Sequence, residues 1–254
     1  MAKGNFPACL ADVLVHEGGY TNNPKDPGNW TGGKVGSGTL KGTKKGIAAA
    51  SYPALDIKNL SDAKIAELYE ANYWRKIRGD DLPSGVDLST MDYGVNSGPS
   101  RSAKELQRVV GVEADGRIGP VTILAVKAAD PRVVIKGHCG RRMSFLRGLA
   151  IWNTFGRGWS TRVANVEAKA LSWVSSKSQL EADAKAARDK AVAQGSGAAV
   201  GTGGGIGADQ APDLSWLPVW AIVAVVAAIV VPLVIRTIIN AQRAQALASV
   251  AKEA

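Results

Sequence analysis

Residues 5–20 read Asn5-Phe6-Pro7-Ala8-Cys9-Leu10-Ala11-Asp12-Val13-Leu14-Val15-His16-Glu17-Gly18-Gly19-Tyr20. Apolar side chains recur at Phe6, Cys9, Leu10, Val13 and Leu14, three and four apart, which predicts an amphipathic helix. The next position on that stripe is Glu17. A carboxyl there is desolvated, which favours its protonated form. Gly18-Gly19 ends the helix and leaves room for a ligand to approach the backbone. Asp26-Pro27-Gly28 follows in a polar turn and brings a second carboxyl close by.

A protonated acid beside an ionised one is the arrangement that cleaves glycosidic bonds. Two plainer readings compete with it. A glutamate in the last turn of a helix is commonly a solvated edge residue or a partner for arginine. Asp-Pro-Gly is also ordinary turn chemistry, in which the Asp side chain caps the backbone. His16 is one of two histidines and has no His or Cys neighbour at metal-ligand spacing. No motif calls for a metal or a cofactor.

The chain has 254 residues, a net charge of +9, seven tryptophans and two cysteines. The charge suits an anionic partner: nucleic acid, anionic lipid or an acidic wall polymer. With no arginine-rich recognition helix and no zinc pattern, a nucleic-acid partner is not expected. Tryptophan faces pack on pyranose rings, although most tryptophans are core residues. Cys9 and Cys139 lie in separate apolar stretches and read as buried thiols. The N-terminus lacks the apolar core of a signal peptide.

Residues 21–46 form a long polar, Gly-rich loop with room for a short hairpin around Gly36-Ser37-Gly38. Helices are expected from Ser61 to about Ile77, from Leu88 to Asn96, and from about Ala103 to Gly111. Further ones run from Pro131 to about Ile151 and from Trp159 to Val174. The class is mainly α, with a small β element in the loops.

After residue 175 the composition shifts. Residues 176–194 read as an exposed helix, and residues 195–207, mostly Gly, Ala and Ser, as a flexible linker. Residues 217–235 carry no charge. As a helix these 19 residues extend about 28 Å, close to the ~30 Å bilayer core. Trp216 and Trp220 flank one end and Arg236 the other. The basic flank, Arg236, Arg243 and Lys252, places the tail in the cytoplasm and the main domain on the opposite face.

Three groups of residues together resemble a known family. They are Glu17-Gly18-Gly19-Tyr20, Asp26-Pro27-Gly28 and Gly42-Thr43-Lys44-Lys45-Gly46-Ile47, and the family is the glycoside hydrolase family 108 N-acetylmuramidases of phages and bacteria. In typical members the second and third groups are nearly continuous. Here residues 29–41 are inserted, and Ala48 stands where Thr is usual. Asp92-Tyr93-Gly94-Val95-Asn96-Ser97-Gly98-Pro99 is similar to the peptidoglycan-binding-like region of that family. Leu106-Gln107, Asp115-Gly116-Arg117-Ile118-Gly119-Pro120 and Phe155-Gly156-Arg157-Gly158-Trp159 continue the likeness.

The resemblance implies a lysozyme-like α-helical domain that hydrolyses the β-1,4 bond between N-acetylmuramic acid and N-acetylglucosamine, with Glu17 as proton donor. Asp26 is the expected second catalytic group, and Tyr20, Thr43 and Asn96 the expected substrate contacts. With the apolar run, which lies outside the resemblance, the expected organisation is a catalytic region over 1–95, a peptidoglycan-binding-like region over 96–175, a helical, Gly-rich linker over 176–213, one transmembrane helix over 214–237 and a cytoplasmic tail over 238–254. The enzyme is then a single-pass inner-membrane protein with its catalytic region on the periplasmic side and peptidoglycan as its partner. Two alternatives stand beside it. One is a lytic transglycosylase acting on the same bond, and the other an inactive, membrane-anchored wall-binding or holin-like protein.

Overall fold

The computed structural model describes residues 4–15, 17–201 and 219–254, with side chains outside 196–201 and 219–227. It divides into two compact units, Met1–Arg142 and Met143–Ala254.

In the first unit, helix α1 (Phe6–Leu14) buries Cys9, Leu10 and Val13, the centre of the predicted stripe. The helix stops at Leu14, so Glu17 lies beyond its end, where its amide bonds the Leu14 carbonyl at 3.1 Å. This corrects the expectation that Glu17 closes the helix. Three two-residue strands follow: β1 (Tyr20–Thr21), β2 (Thr43–Lys44) and β3 (Ile47–Ala48), antiparallel in that order. Helix α2 (Asp62–Tyr69) starts at Ser61, whose hydroxyl accepts from the Lys64 amide, and runs into a π-helical turn over Glu70–Trp74.

Helix α3 (Val86–Ser97) is the centre of this unit, with nine consecutive buried residues from Val86 to Gly94. It packs on α1 and on α4 (Pro99–Val110). Helix α5 (Pro120–Ala128) and α6 (Pro131–Arg147) complete the order, α6 capped by Asp130. Cys9 and Cys139 are both buried.

Three buried polar groups in this unit have defined partners. Asp92 and Arg142, both sealed from solvent, bond at 2.6 Å, and the guanidinium also lies 5.3 Å over the Tyr93 ring. His138 meets the Ser102 carbonyl at 3.1 Å, and burial pushes its imidazole down to about 4, so it is neutral. Asp87 accepts from Asn5 at 3.0 Å and from the Leu88 amide at 2.7 Å, while burial raises its carboxyl to about 6.

The second unit holds α7 (Trp152–Ser172), α8 (Lys177–Gly201) and α9 (Val219–Glu253). Leu180, Ala184, Ala187 and Ala191 of α8 are buried, as are Ala244, Leu247 and Ala251 of α9. Both sets repeat at three and four residues and form the seam of a close helix pair.

Two expectations change here. Residues 195–201, read as the start of a flexible linker, continue α8. Residues 238–254, read as a separate tail, are the end of α9 and pack on α7 and α8. Among the described residues no helix is long and apolar enough to cross a membrane. The run 217–235 lies in part outside them: residues 217–218 are not described, nor are the side chains of 219–227.

Candidate active site

The site is built on a short hairpin. Lys44 pairs with Ile47, leaving Lys45-Gly46 as a two-residue turn. Both turn residues have positive φ, 45° and 74°, which is the type I′ geometry that matches the twist of the strands. Glycine adopts it freely at 46; Lys45 does not, and is held in place from both sides. Its amide donates to the Gly18 carbonyl at 3.1 Å, and its carbonyl accepts from the Tyr69 hydroxyl at 3.0 Å.

Those two bonds fix Glu17. The turn is tied on one side to the residue after Glu17 and on the other to α2. A Cβ added to Gly46 would stand 2.6 Å from Tyr69 Oη and 3.0 Å from Glu17 Oε2. The half-buried Glu17 carboxyl therefore rests on the bare face of Gly46 beside a phenol. Tyr73 stacks near Tyr69 at 5.4 Å, and burial together with the charges of Tyr52 and Glu17 raises its phenol. Asn72 donates to the Tyr52 hydroxyl at 2.9 Å. Three tyrosines thus line the Glu17 side of the hairpin.

The second carboxyl comes in on the next stretch of strand. Asp26 is exposed and its Oδ1 accepts from the Gly28 amide at 2.8 Å, capping a 3-10 turn over Pro27–Asn29. Gly28 in turn accepts from the Ala50 amide, and its Cα lies against Ala48. Glu17 thus rests on the turn at Gly46, and the Asp26 turn lies against β3 at Ala48 and against Ala50 just beyond it.

Asn29, fully buried, joins these parts. Its carbonyl accepts from the Lys41 and Gly42 amides, its Oδ1 from the Thr43 hydroxyl at 2.7 Å, and its Nδ2 donates to the Asn23 carbonyl. The inserted residues leave and return at this one side chain. Between its ends the insertion pairs Trp30 with Leu40, as the glycine pattern around residue 37 predicts. Closing it at its base brings Asp26-Pro27-Gly28 back against Gly42-Thr43, so the extra residues do not displace the hairpin.

The remaining expected contacts divide. Tyr20 is exposed, donates to the Lys41 carbonyl at 3.3 Å and lays its ring over Gly42, at the edge of the same hairpin. Thr43 sits on the central strand, its hydroxyl directed to Asn29. Asn96 is exposed in the last turn of α3, where its oxygen accepts from Ser97. Sequence reasoning missed Asn29, Gly46 and Tyr69 as parts of the site. The tyrosines at 69 and 73 stand four apart on one helix face and read equally well as core.

The profile described as glycosyl hydrolase 108 matches residues 10–98, which contain this hairpin and all three tyrosines. The solved structure of Brucella abortus SagA is 39% identical over 66% of this chain and 94% of that one, with a TM-score of 0.55. The chain belongs to glycosyl hydrolase family 108. A second profile, a predicted peptidoglycan domain, matches residues 101–164. No curated protein matches. The family 108 chain is thus a glycoside hydrolase, and its substrate is peptidoglycan.

In this family 108 enzyme the motif Asp115-Gly116-Arg117 is organised from inside. Buried Gln107 donates to Asp115 at 2.7 Å and to the Arg117 carbonyl at 2.9 Å, and accepts from the Gly116 amide at 2.9 Å. Asp92 and Tyr93 likewise serve the core, against Arg142 and His138. These signature residues shape the region from within.

Proposed function

We propose that Glu17 protonates the glycosidic oxygen of the β-1,4 bond between N-acetylmuramic acid and N-acetylglucosamine. A water on the far face of the sugar, oriented by Asp26 and by the Thr43 hydroxyl, completes hydrolysis. The observation that carries this reading is the seat of Glu17: a half-buried carboxyl resting on Gly46, in a turn tied to Gly18 and to Tyr69. Tyr20, at the hairpin edge, stacks on a sugar face, and Asn96 hydrogen-bonds the strand further along. Glu17→Gln keeps the shape and removes the proton. Its expected result is a loss of at least ~10³-fold in peptidoglycan clearing with an unchanged melting temperature. Near-normal clearing by the folded variant overturns the assignment. Asp26→Asn separates rate from turn capping: a lower melting temperature at unchanged turnover makes Asp26 a turn residue only.

Product ends decide between water and an internal hydroxyl as nucleophile. Reducing muramic ends follow from hydrolysis; 1,6-anhydro ends, one water lighter, would show a transglycosylase.

The uncharged run 217–235 supports an anchor in the inner membrane, with the catalytic region on the wall side and the net charge of +9 holding it near anionic polymer. Carbonate-resistant pelleting of the full chain is the expected result, and release into the soluble fraction overturns the anchor.

A further inference from the structure

Helix α7 buries Val163, Val166 and Ala170 along one face. Earlier on the same face, at helical spacings from these, stand Trp159, Phe155 and Trp152. There the cover runs out. Phe155 is 51% exposed and Ile151, just before the helix, 53%. Trp152 and Trp159 are half-buried. A core stripe thus emerges into solvent as three aromatic rings.

The rings are ordered against one another. Phe155 stacks on Trp159 at 5.6 Å with an interplanar angle of 26°, and Trp152 meets Trp159 at 6.3 Å and 49°. Gly156 seats the first of them. A Cβ there would stand 2.5 Å from the Trp152 indole, so the ring lies against bare helix backbone. Glycine weakens a helix interior relative to alanine, and no positive φ requires it at 156. Its evident use is the flat seat. Gly158 has nothing within 4 Å of the place a Cβ would take, and so leaves the flank of Phe155 open.

The surroundings point to the ligand. Residues 143–166 hold Arg147, Arg157 and Arg162 and no acidic residue, which suits a polymer bearing carboxylates. Exposed Asn153, Thr154 and Arg157 interleave with the rings and offer hydrogen bonds to sugar hydroxyls and amides. The pyranoses of a β-1,4 glycan carry hydroxyls at their edges and C–H groups on their faces, and those faces pack on the electron-rich face of an aromatic ring. The match to a predicted peptidoglycan domain, residues 101–164, includes all three rings.

We infer that Trp152, Phe155 and Trp159 form a stacking platform for the sugar faces of a peptidoglycan strand. The platform belongs to the second compact unit, whereas the Glu17 hairpin belongs to the first. The inference deepens the peptidoglycan reading and rests on it.

The test uses the full chain carrying Glu17→Gln, so that the polymer is held and not cut. Insoluble peptidoglycan is pelleted on ice with its bound protein, and melting curves establish that each variant is folded. Phe155→Ala removes the exposed ring. Gly156→Ala keeps all three rings and unseats Trp152. Each is expected to raise the apparent Kd by roughly three- to tenfold over the Glu17→Gln parent. A folded Phe155→Ala that binds as tightly as its parent overturns the inference and leaves the cluster a packing feature, whatever its melting temperature. With phosphatidylcholine vesicles in place of the polymer, the variants should match the parent. A loss confined to vesicles marks a lipid contact and overturns the inference as well. Clearing of the polymer by the parent on warming would overturn the role of Glu17 and leave the platform standing.

Discussion

The hairpin around Glu17 and the helix α3 both carry carboxyls away from bulk water, yet only the hairpin is proposed as a reaction site. In α3, Asp87 and Asp92 are fully enclosed, one under Asn5 and one against Arg142. Glu17 is only half-buried and rests on the turn at Gly46. Burial shifts the chemistry of a carboxyl; access decides whether it meets a substrate. The hairpin obtains access by using elements too short to cover it: two-residue strands, a Lys-Gly turn and a bare glycine face.

The largest effect is expected on the core side. Arg142→Met leaves the Asp92 carboxylate enclosed without its guanidinium, and about 3–5 kcal/mol of stability is expected to be lost. Asp92→Asn in the same chain should recover much of it. Turnover per folded molecule should stay near normal in both, measured at a temperature where the variants remain folded. A fall in turnover at full folding would tie this pair to the reaction.

Asp87 gives a smaller effect with a defined sign. Its folded carboxyl titrates at about 6 against 3.8 when unfolded, so the native state binds more protons between those values. Stability contributed by the protonated group is fully present below pH ~4 and is lost as pH rises through ~6. Asp87→Asn should raise stability at pH 7 by up to about 3 kcal/mol, with the gain vanishing near pH 4. His138 runs the other way: its folded value is about 4 against 6.5, so its contribution is lost as pH falls through that interval. Melting curves of the variant between pH 4 and 7 should therefore show the His138 limb that Asp87 masks. No gain at pH 7 would mean the Asn5 and Leu88 bonds fully offset the burial of the charge.

The helices were legible because their signals are local. Ser61 caps α2 and Asp130 caps α6, as their positions before apolar runs predict, and the apolar stripe names Cys9, Leu10 and Val13 as core. Glu17 and the Asp26 turn could be picked out from chemistry and spacing. What joins them could not. Asn29 lies inside an apparent insertion, and four of its hydrogen bonds reach residues six to fourteen positions away. Tyr69 belongs to the site only because α2 folds back on the turn at 45–46, a contact that no period in the sequence encodes. The tail was misread for a related reason: charge counting sees Arg243 but not the Glu167 it meets 76 residues earlier.

The smallest effect is expected at Tyr69. Its hydroxyl donates at 3.0 Å to the Lys45 carbonyl, at a backbone position that a lysine adopts at a cost of roughly 1 kcal/mol or more. The same turn carries the surface on which Glu17 rests. Tyr69→Phe keeps the buried ring and removes only the tie. If the hairpin is held open by such ties, the turn relaxes, Glu17 loses its register against the glycosidic oxygen, and kcat falls about tenfold, roughly the free energy of one hydrogen bond. KM should barely move, because the sugar contacts at the hairpin edge are untouched. A purely packing role predicts the reverse: a lower melting temperature with kcat unchanged. Steady-state kinetics on soluble peptidoglycan fragments, with thermal melts on the same preparations, separate the two, and an unaltered kcat would make Tyr69 a core residue like those of α3.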